Sequence, residues 1–578
     1  LEIQEGDVFI KNNYVSDDLS PISNLSTFNN ENTNISYSDL ENKPINFSDS
    51  DGFYVDIEVR ENGKYYGDID LTDSLKSNIV YAITVHDCDI NQLLINDINV
   101  SSVSFQQSDI KNQDDVCKKI HSGNTGLTMH ACFDGNKFTG ILDISHWELY
   151  DWETRTTNNL EYAFRNFTAQ KIILHPKFDL MVSSVSYFRW CWSGTLNIPN
   201  IRNWKINGER RMDFYGFFRN TKKFNQDLST KIVERHGITY TAWDTSSVAT
   251  MAQMFYETDK FNQDLTSWDV SNATDLSYMF YKSNFNGDIS NWNTSNVTNL
   301  SGIFSENSKF NQDISTKIIT GTNAETNPSY IAWDTQNATT IKRIFGGASS
   351  LSGRKEIGNN LSIENWNLDK VRDIGELFFA NKGNNDGSTI DLRTKIVILD
   401  NSSETDDEEL KIRKVYIAWN TNTVTSASGT FYYTKTPNIQ IDNWNVSNVQ
   451  NLDTFLQTSD FNPDITKKSV NLLGFSDGYG SDDEETKTDQ DKILEQLSDE
   501  EKQQLKGDDT SNPLTEYTAW YTLSVNSMTY FADYNDSFDR NLSDWCLKSM
   551  TSFPGQRDNT NNWRDKLNLE NIGKDCTE

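Results

Sequence analysis

Cys117, His121, His130 and Cys132 are spaced C-x3-H-x8-H-x-C, and two thiolates with two imidazoles are the donor set of a tetrahedral zinc site. The spacing fits no familiar finger, so disulfides or free thiols beside incidental histidines are the stronger reading, and no metal is assigned. Cys88, Cys191, Cys546 and Cys576 bring the cysteines to six. An even number points to disulfides and an oxidising compartment, although Cys88, Cys117, Cys132 and Cys191 allow three pairings among themselves. The acidic run from Ser481 to Asp491 offers carboxylates to calcium. Without a D-x-D-x-D-G loop and its trailing Glu it supports weak binding at most. No H-E-x-x-H, phosphate-binding glycine loop or dinucleotide fingerprint occurs, and scattered carboxylate pairs mean little in so acidic a chain. The expectation is a protein that is not an enzyme and carries no cofactor. Its net charge of -32, from 84 acidic against 52 basic residues, argues against nucleic acid or an anionic membrane surface as partner. Both need a basic footprint.

The elements that must position any such residues are repeats. WDTSSVATMAQMFYETDKFNQDLTS, WDVSNATDLSYMFYKSNFNGDISN and WNTSNVTNLSGIFSENSKFNQDIS follow one another, with 25 residues from Trp243 to Trp268 and 24 from Trp268 to Trp292. That period marks a repeat architecture whose units bury their apolar faces only by stacking. After each Trp, apolar residues recur at i, i+3, i+6 and i+7, as in Val248, Met251, Met254 and Phe255. The spacing predicts a two-turn helix, opened by Ser, Thr or Asn residues that accept from first-turn amides. Phe-Asn-x-Asp then reads as a short strand. Its Asn225, Asp227, Asn262, Asp264, Asn286, Asp288, Asn311, Asp313, Asn462 and Asp464 are expected to stack in register as a polar ladder. Trp243, Phe255, Trp268, Phe280, Trp292, Phe304, Trp333 and Phe345 are the expected repeat core.

The string FNQDLTSWDVSNATDLSYMF resembles the repeat of the BspA-like leucine-rich-repeat surface proteins, a group of unknown function also abundant among mycoplasma lipoproteins. Copies of FNxD begin at Phe224, Phe261, Phe285, Phe310 and Phe461, and weaker units extend the match over about 130–578. The resemblance implies a leucine-rich solenoid displayed at the cell surface, with adhesion or recognition as its role and no catalytic residues. The expected fold is therefore an α/β repeat solenoid of strand-plus-helix coils, with hairpin insertions and a small amino-terminal β element. Similar surface proteins end in Trp-Cys, a Pro-containing loop and a last Cys, which implies a Cys546–Cys576 disulfide under a Trp563 cover.

In order, residues 1–75 form the expected β-rich capping region, with a hairpin of Phe53–Arg60 and Lys64–Ile69 across Asn62-Gly63. Residues 76–139 are a transition, 140–545 the repeats, and 546–578 the cap. Four repeats are lengthened at one point between strand and Trp, at about 230–242, 316–332, 394–418 and 466–519. Each begins with a Lys-containing β-prone run and returns through Tyr-x-Ala-Trp, and so reads as a hairpin. Insertions at one point of a repeat emerge on one side, usually the binding side. In the last, Asp491–Lys506 reads as an exposed helix. Asn272, Asn293, Asn296 and Asn337 begin Asn-x-Ser/Thr sequences, more simply read as turn and cap residues than as glycan sites. The chain starts at Leu1, as though a signal peptide had been removed. The expected partners are an extracellular protein or glycan, or other copies of the chain, with no membrane insertion.

Overall fold

A computed structural model describes the backbone of six strands before residue 145 and most of residues 160–575 with their side chains. The larger breaks in that range are 166–170, 183–187, 192–197, 207–211, 348–354, 357–361, 383–388, 474–488, 507–514 and 556–561. The chain divides into two compact units, 1–263 and 264–578.

The first unit opens with a seven-stranded sheet of β1 (Asp7–Asn12), β2 (Ile35–Ser36), β3 (Tyr54–Arg60), β4 (Val80–His86), β5 (Val100–Phe105), β6 (Ile141–Ile144) and β7 (Lys171–Leu174), in the order β2-β1-β3-β4-β5-β6-β7. The pairs from β3 to β7 are parallel and sequential, with Ile57 beside Ile83, Ile83 beside Val103, Val103 beside Leu142 and Leu142 beside Ile172. The Asn62-Gly63 turn of the expected hairpin lies outside the described residues. A strand has two edges, and those of β3 are taken by β1, antiparallel, and by β4. Residues 64–69 lie outside the described residues. The sheet runs without interruption across residue 140, where the sequence places a boundary.

Beyond the sheet, the segments expected as helices are runs of turns. Met254 N–H donates to Met251 O, Tyr256 to Gln253 and Thr258 to Phe255, while Gln253 and Glu257 take positive φ of 57 and 54°. Every second amide points sideways to a neighbouring unit. Phe214, Gly216, Phe218 and Asn220 donate to the carbonyls of Thr250, Ala252, Met254 and Tyr256 at 2.8–3.0 Å. In the second unit Leu276, Tyr278, Phe280 and Lys282 donate in the same way to Asn299, Ser301, Ile303 and Phe304's neighbour Ser305. A helix would spend these amides within its own unit and leave nothing to join it to the next. The i, i+3, i+7 pattern still marks the inward side chains, and Val248, Met251, Met254 and Phe255 are all fully buried.

The expected strands at Phe-Asn-x-Asp are also absent. In the second unit the parallel bridges run just ahead of the turns, from Asp275 through Asn299, Thr340, Asp373, Ser426 and Asn451 to Ser527, one residue per repeat. At the Phe-Asn-x-Asp corners it is the Asn side chains that link neighbours. Asn225 Oδ1 accepts from Asn262 N–H (3.0 Å), Asn286 Oδ1 from Asn311 N–H (2.7 Å), and Asn462 Nδ2 donates to Asp539 (2.7 Å). The Asp residues act locally instead. Asp227, Asp264, Asp288, Asp313 and Asp464 each accept the amide two residues on, at 2.8–3.2 Å.

Indole and phenyl columns fill the interior. Trp243, Phe255, Trp268, Phe280, Trp292, Phe304, Trp333 and Phe345 are at most 3% exposed. Trp333 stacks between Trp292 (6.5 Å) and Trp366 (6.1 Å), and Phe304 between Phe280 (6.1 Å) and Phe345 (6.2 Å). Along the column, indole N–H groups donate to carbonyls of earlier repeats, as in Trp243 to Ile201 (2.7 Å), Trp333 to Ile289 (2.9 Å) and Trp444 to Leu392 (2.7 Å). At the carboxyl end Trp563 is fully buried against Phe531 (5.5 Å) and donates to Asp533 (2.7 Å).

One glycine reports on the closeness of adjacent repeats. Gly302 has φ +62°, and a Cβ there would lie 2.4 Å from the Tyr278 ring. Gly302→Ala is expected to cost about 1–3 kcal/mol, from overpacking and left-handed strain together. A urea midpoint equal to that of the parent chain would show that the ring yields freely.

Candidate functional site

The four insertions leave the repeats from a common foundation. Asp227, Asp313, Asp391 and Asp464 each sit four residues before a lysine, which is Lys231, Lys317 (3.0 Å), Lys395 (3.8 Å) or Lys468 (3.3 Å). Thr230, Thr316 and Thr394 donate to the carbonyls of Trp243, Trp333 and Trp419, closing three of the insertions at the neck. The Tyr ahead of Ala-Trp explains itself in the same way. Tyr240, Tyr330, Tyr416 and Tyr517 donate to the carbonyls of Asn203, Asn291, Asn365 and Asn443, each just before the Trp of an earlier repeat, at 2.5–2.8 Å.

Above that foundation each insertion is an antiparallel pair. Lys231–Arg235 pairs with Ile238–Ala242, Lys317–Ile319 with Tyr330–Ala332, Lys395–Asp400 with Arg413–Ala418, and Lys468–Asn471 with Glu516–Ala519. The first turns through His236 and Gly237, both at positive φ, as two-residue hairpins require. Its tip is anchored to Asp179, only 2% exposed, which accepts from Arg235 Nε (2.6 Å) and lies 3.0 Å from His236 Nε2.

The electrostatics of the necks fix a pH response. Burial would raise Asp227, Asp313, Asp391 and Asp464. Hydrogen bonds from the neighbouring Lys or Arg and from backbone and hydroxyl donors outweigh it and hold all four below the usual carboxylate range. Asp400 is pulled down to about 2 by Ser402 and then by Arg413. A carboxylate depressed in the folded state contributes stability above its unfolded pKa of about 3.9 and loses it as pH falls through the folded value. Urea midpoints are therefore expected to hold steady above about pH 5 and to fall toward pH 2. A midpoint that rises on acidification would contradict these pairings.

In the second unit the insertions associate. Thr320 donates to Glu404 (2.7 Å), Asn401 to Thr320 (3.1 Å), and Lys414 to Asp334 (3.0 Å). The helix expected to be exposed is instead two helices, Asp489–Glu495 and Asp499–Lys506, and they bury Leu494, Leu497 and Leu505 against Ile396 and Ile417 of the third hairpin. Arg413 binds Glu501 (2.8 Å), the Gln496 carbonyl (3.0 Å) and Asp400 (2.7 Å). A capping box was present in the sequence to signal the second helix. Ser498 Oγ accepts from Glu501 N–H (3.1 Å) and Glu501 Oε2 from Ser498 N–H (2.8 Å). A groove of about 930 Å³ opens beside this module, lined by Thr394–Ile398, Asn443, Asn471, Leu472 and Gln496 among others.

Other candidates separate. Cys117, His121, His130, Cys132 and Cys88 lie outside the described residues, as does Cys576. Cys191 is a buried free thiol whose pKa burial pushes up, while Cys546 is buried and disulfide-bonded. Among the described residues no group of three or more His, Cys, Asp or Glu could hold a metal ion. None of their helices is long and apolar enough to cross a membrane. Gly474-Phe-Ser-Asp-Gly478 has the G-x-S-x-G spacing of a hydrolase elbow, lies outside the described residues, and comes after the first strand of a two-stranded hairpin instead of a strand of the larger sheet such an elbow needs.

With this geometry in place, comparison with known proteins is informative in one respect. The family model described as "Mycoplasma protein of unknown function, DUF285" matches residues 127–237, 159–283, 230–326, 321–398, 399–473 and 508–573, well over half of the chain. The chain belongs to this family. No curated protein and no solved structure matches it. The DUF285 matches stop at 473 and resume at 508, so the helix pair Asp489–Lys506 stands between two of them. The hairpins, by contrast, lie almost wholly within matched segments.

Proposed function

We propose that this DUF285 chain is a non-enzymatic extracellular protein, of the BspA-like leucine-rich type, that recognises a protein or glycan through its inserted hairpins. The carrying observation is the module of two hairpins and two helices, which has its own apolar cluster and an open groove. In this reading the repeats form a solenoid that serves as scaffold, and a Cys546–Cys576 bridge closes its end. A surface so built is rigid before the partner arrives, which lowers the ordering cost of binding. Binding of calcium would be weak and incidental.

A second reading, self-assembly into a surface layer or filament, is favoured by one observation. Ile232 and Ile238, 77 and 44% exposed, lie on the same hairpin and are two of the three exposed large apolar residues among those described. Electron microscopy with light scattering across a concentration series, with and without calcium, separates the two. Isolated particles at every concentration support recognition. Ordered filaments or sheets would transfer the hairpins to contacts between copies.

A further inference from the structure

Residues 155–223 carry twelve Lys or Arg against four Asp or Glu, while the rest of the chain carries forty against eighty. A surplus of eight positive charges within a protein of net charge -32 is a local field that the total conceals. At physiological salt the Debye length is about 8 Å, so remote carboxylates do not cancel it.

The described part of this stretch shows where the charge goes. Of its two described carboxylates, Asp179 is buried beneath the first hairpin and Asp213 is held by Arg189 at 2.6 Å. Arg165, Arg189 and Arg219 occupy turn runs of three repeats linked by hydrogen bonds from Tyr162 N–H to Arg189 O and from Trp190 N–H to Tyr215 O. Lys222 and Lys223, both exposed, follow directly. Each guanidinium lies over a ring. Arg165 is 4.3 Å from Tyr162, Arg189 5.9 Å from Tyr215, and Arg219 is held between Trp190 (4.5 Å) and Tyr256 (3.7 Å). Arg219 Nη1 donates to Gln253 Oε1, and its buried Nε has no acceptor. The rings orient the cations along the stack before any ligand is present.

We infer that this turn face of the first unit binds a linear anionic glycan, one bearing sulfate or carboxylate groups along its length. Arginines in fixed planes suit the bidentate geometry of such groups. Single-stranded nucleic acid fits less well, because the rings on which bases would stack already carry guanidinium groups. The inference shares the recognition reading's extracellular setting but uses a different face, so its failure leaves the hairpins untouched.

The test uses the full chain and heparin as probe, with binding followed between about 50 and 200 mM salt. Affinity is expected to fall steeply with salt, and Lys222→Gln with Lys223→Gln to weaken it about tenfold at unchanged thermal melting. Lys370→Gln with Lys435→Gln, which removes the same charge from the second unit, is expected to leave it unchanged. Equal losses from both pairs would reduce the effect to net charge and overturn the proposal. So would the absence of binding at the lowest salt, or tighter binding of a single-stranded DNA oligonucleotide than of heparin. Salt-sensitive self-association abolished by the first pair, without heparin binding, would assign the face to a second copy instead.

Discussion

Replacing Leu494, Leu497 and Leu505 together with Ala is expected to release the helix pair from the third hairpin while the repeats beneath keep their cooperative unfolding. The three side chains are 4–6% exposed and pack on Ile396 and Ile417, with Ile398, Val415, Leu472, Leu473 and Ile493 around them. Each truncation of a buried Leu costs about 2–5 kcal/mol. The sum exceeds what a surface module of two hairpins and two short helices can spare. The Arg413 bonds to Glu501 and Gln496 do not compensate, because the ion pair is solvent-exposed and worth about 1 kcal/mol or less. Hydrogen exchange should show the amides of 413–418 losing protection and those of the parallel ladder retaining it. Protection unchanged in the hairpin would mean that its neck bonds alone, through Tyr416 and Thr394, hold it in place. The same reasoning applies to deleting 467–518. The repeats remain, but the third hairpin is left with Ile396, Ile398, Val415 and Ile417 uncovered and becomes an aggregation site.

Trp333→Ala is expected to destabilise the second unit by about 3–5 kcal/mol through the cavity alone. Its indole is fully buried between Trp292 and Trp366, and its loss also removes one of the two donors to the Ile289 carbonyl, which keeps the Trp292 N–H (3.2 Å), so the hydrogen bond adds only about 0.5–1.5 kcal/mol. Trp333→Phe separates the two contributions, since it keeps most of the stacking and removes only the hydrogen bond. A denaturation series with Trp333→Phe close to the parent chain and Trp333→Ala far below it would put the weight on packing. Equal losses would put it on the hydrogen bond. Losses under about 1 kcal/mol in both would show that adjacent repeats close over the gap.

Much of this was legible in the sequence. The repeat period located Trp243, Trp268, Trp292 and Trp333 and the Phe residues that fill the interior beside them. Polarity and spacing alone select inward side chains, and stacking of like units puts like residues together. The Lys-led runs that return through Tyr and Ala-Trp likewise pointed to hairpins at one place in the repeat, for a local reason. Asp to Lys at four residues is a short-range contact written in adjacent residues, whereas the Tyr hydroxyl reaches a carbonyl of an earlier repeat, 39 residues away for Tyr330.

Tertiary structure decided the rest. The i, i+3, i+7 pattern suits a helix and a run of turns alike, and the choice rests on where the amides go. They go to the neighbouring repeat, with Gln253, Glu257, Tyr278 and Lys282 at positive φ, a conformation no propensity scale favours for them. Asn and Asp of Phe-Asn-x-Asp look equivalent in sequence, yet only the Asn side chains span repeats, because their amides can both give and accept while the Asp carboxylates are taken up by nearby amides. The partner of Tyr54–Arg60 was decided by strands more distant in sequence than the Asn-Gly turn that seemed to supply one. The leucines of Asp489–Lys506 found their cover on a hairpin some eighty residues earlier, as the 88-residue separation of Arg413 and Glu501 records. Local chemistry specified which residues turn inward and where the chain doubles back. Which amides, edges and leucines met one another depended on long-range contacts that no window of the sequence contains.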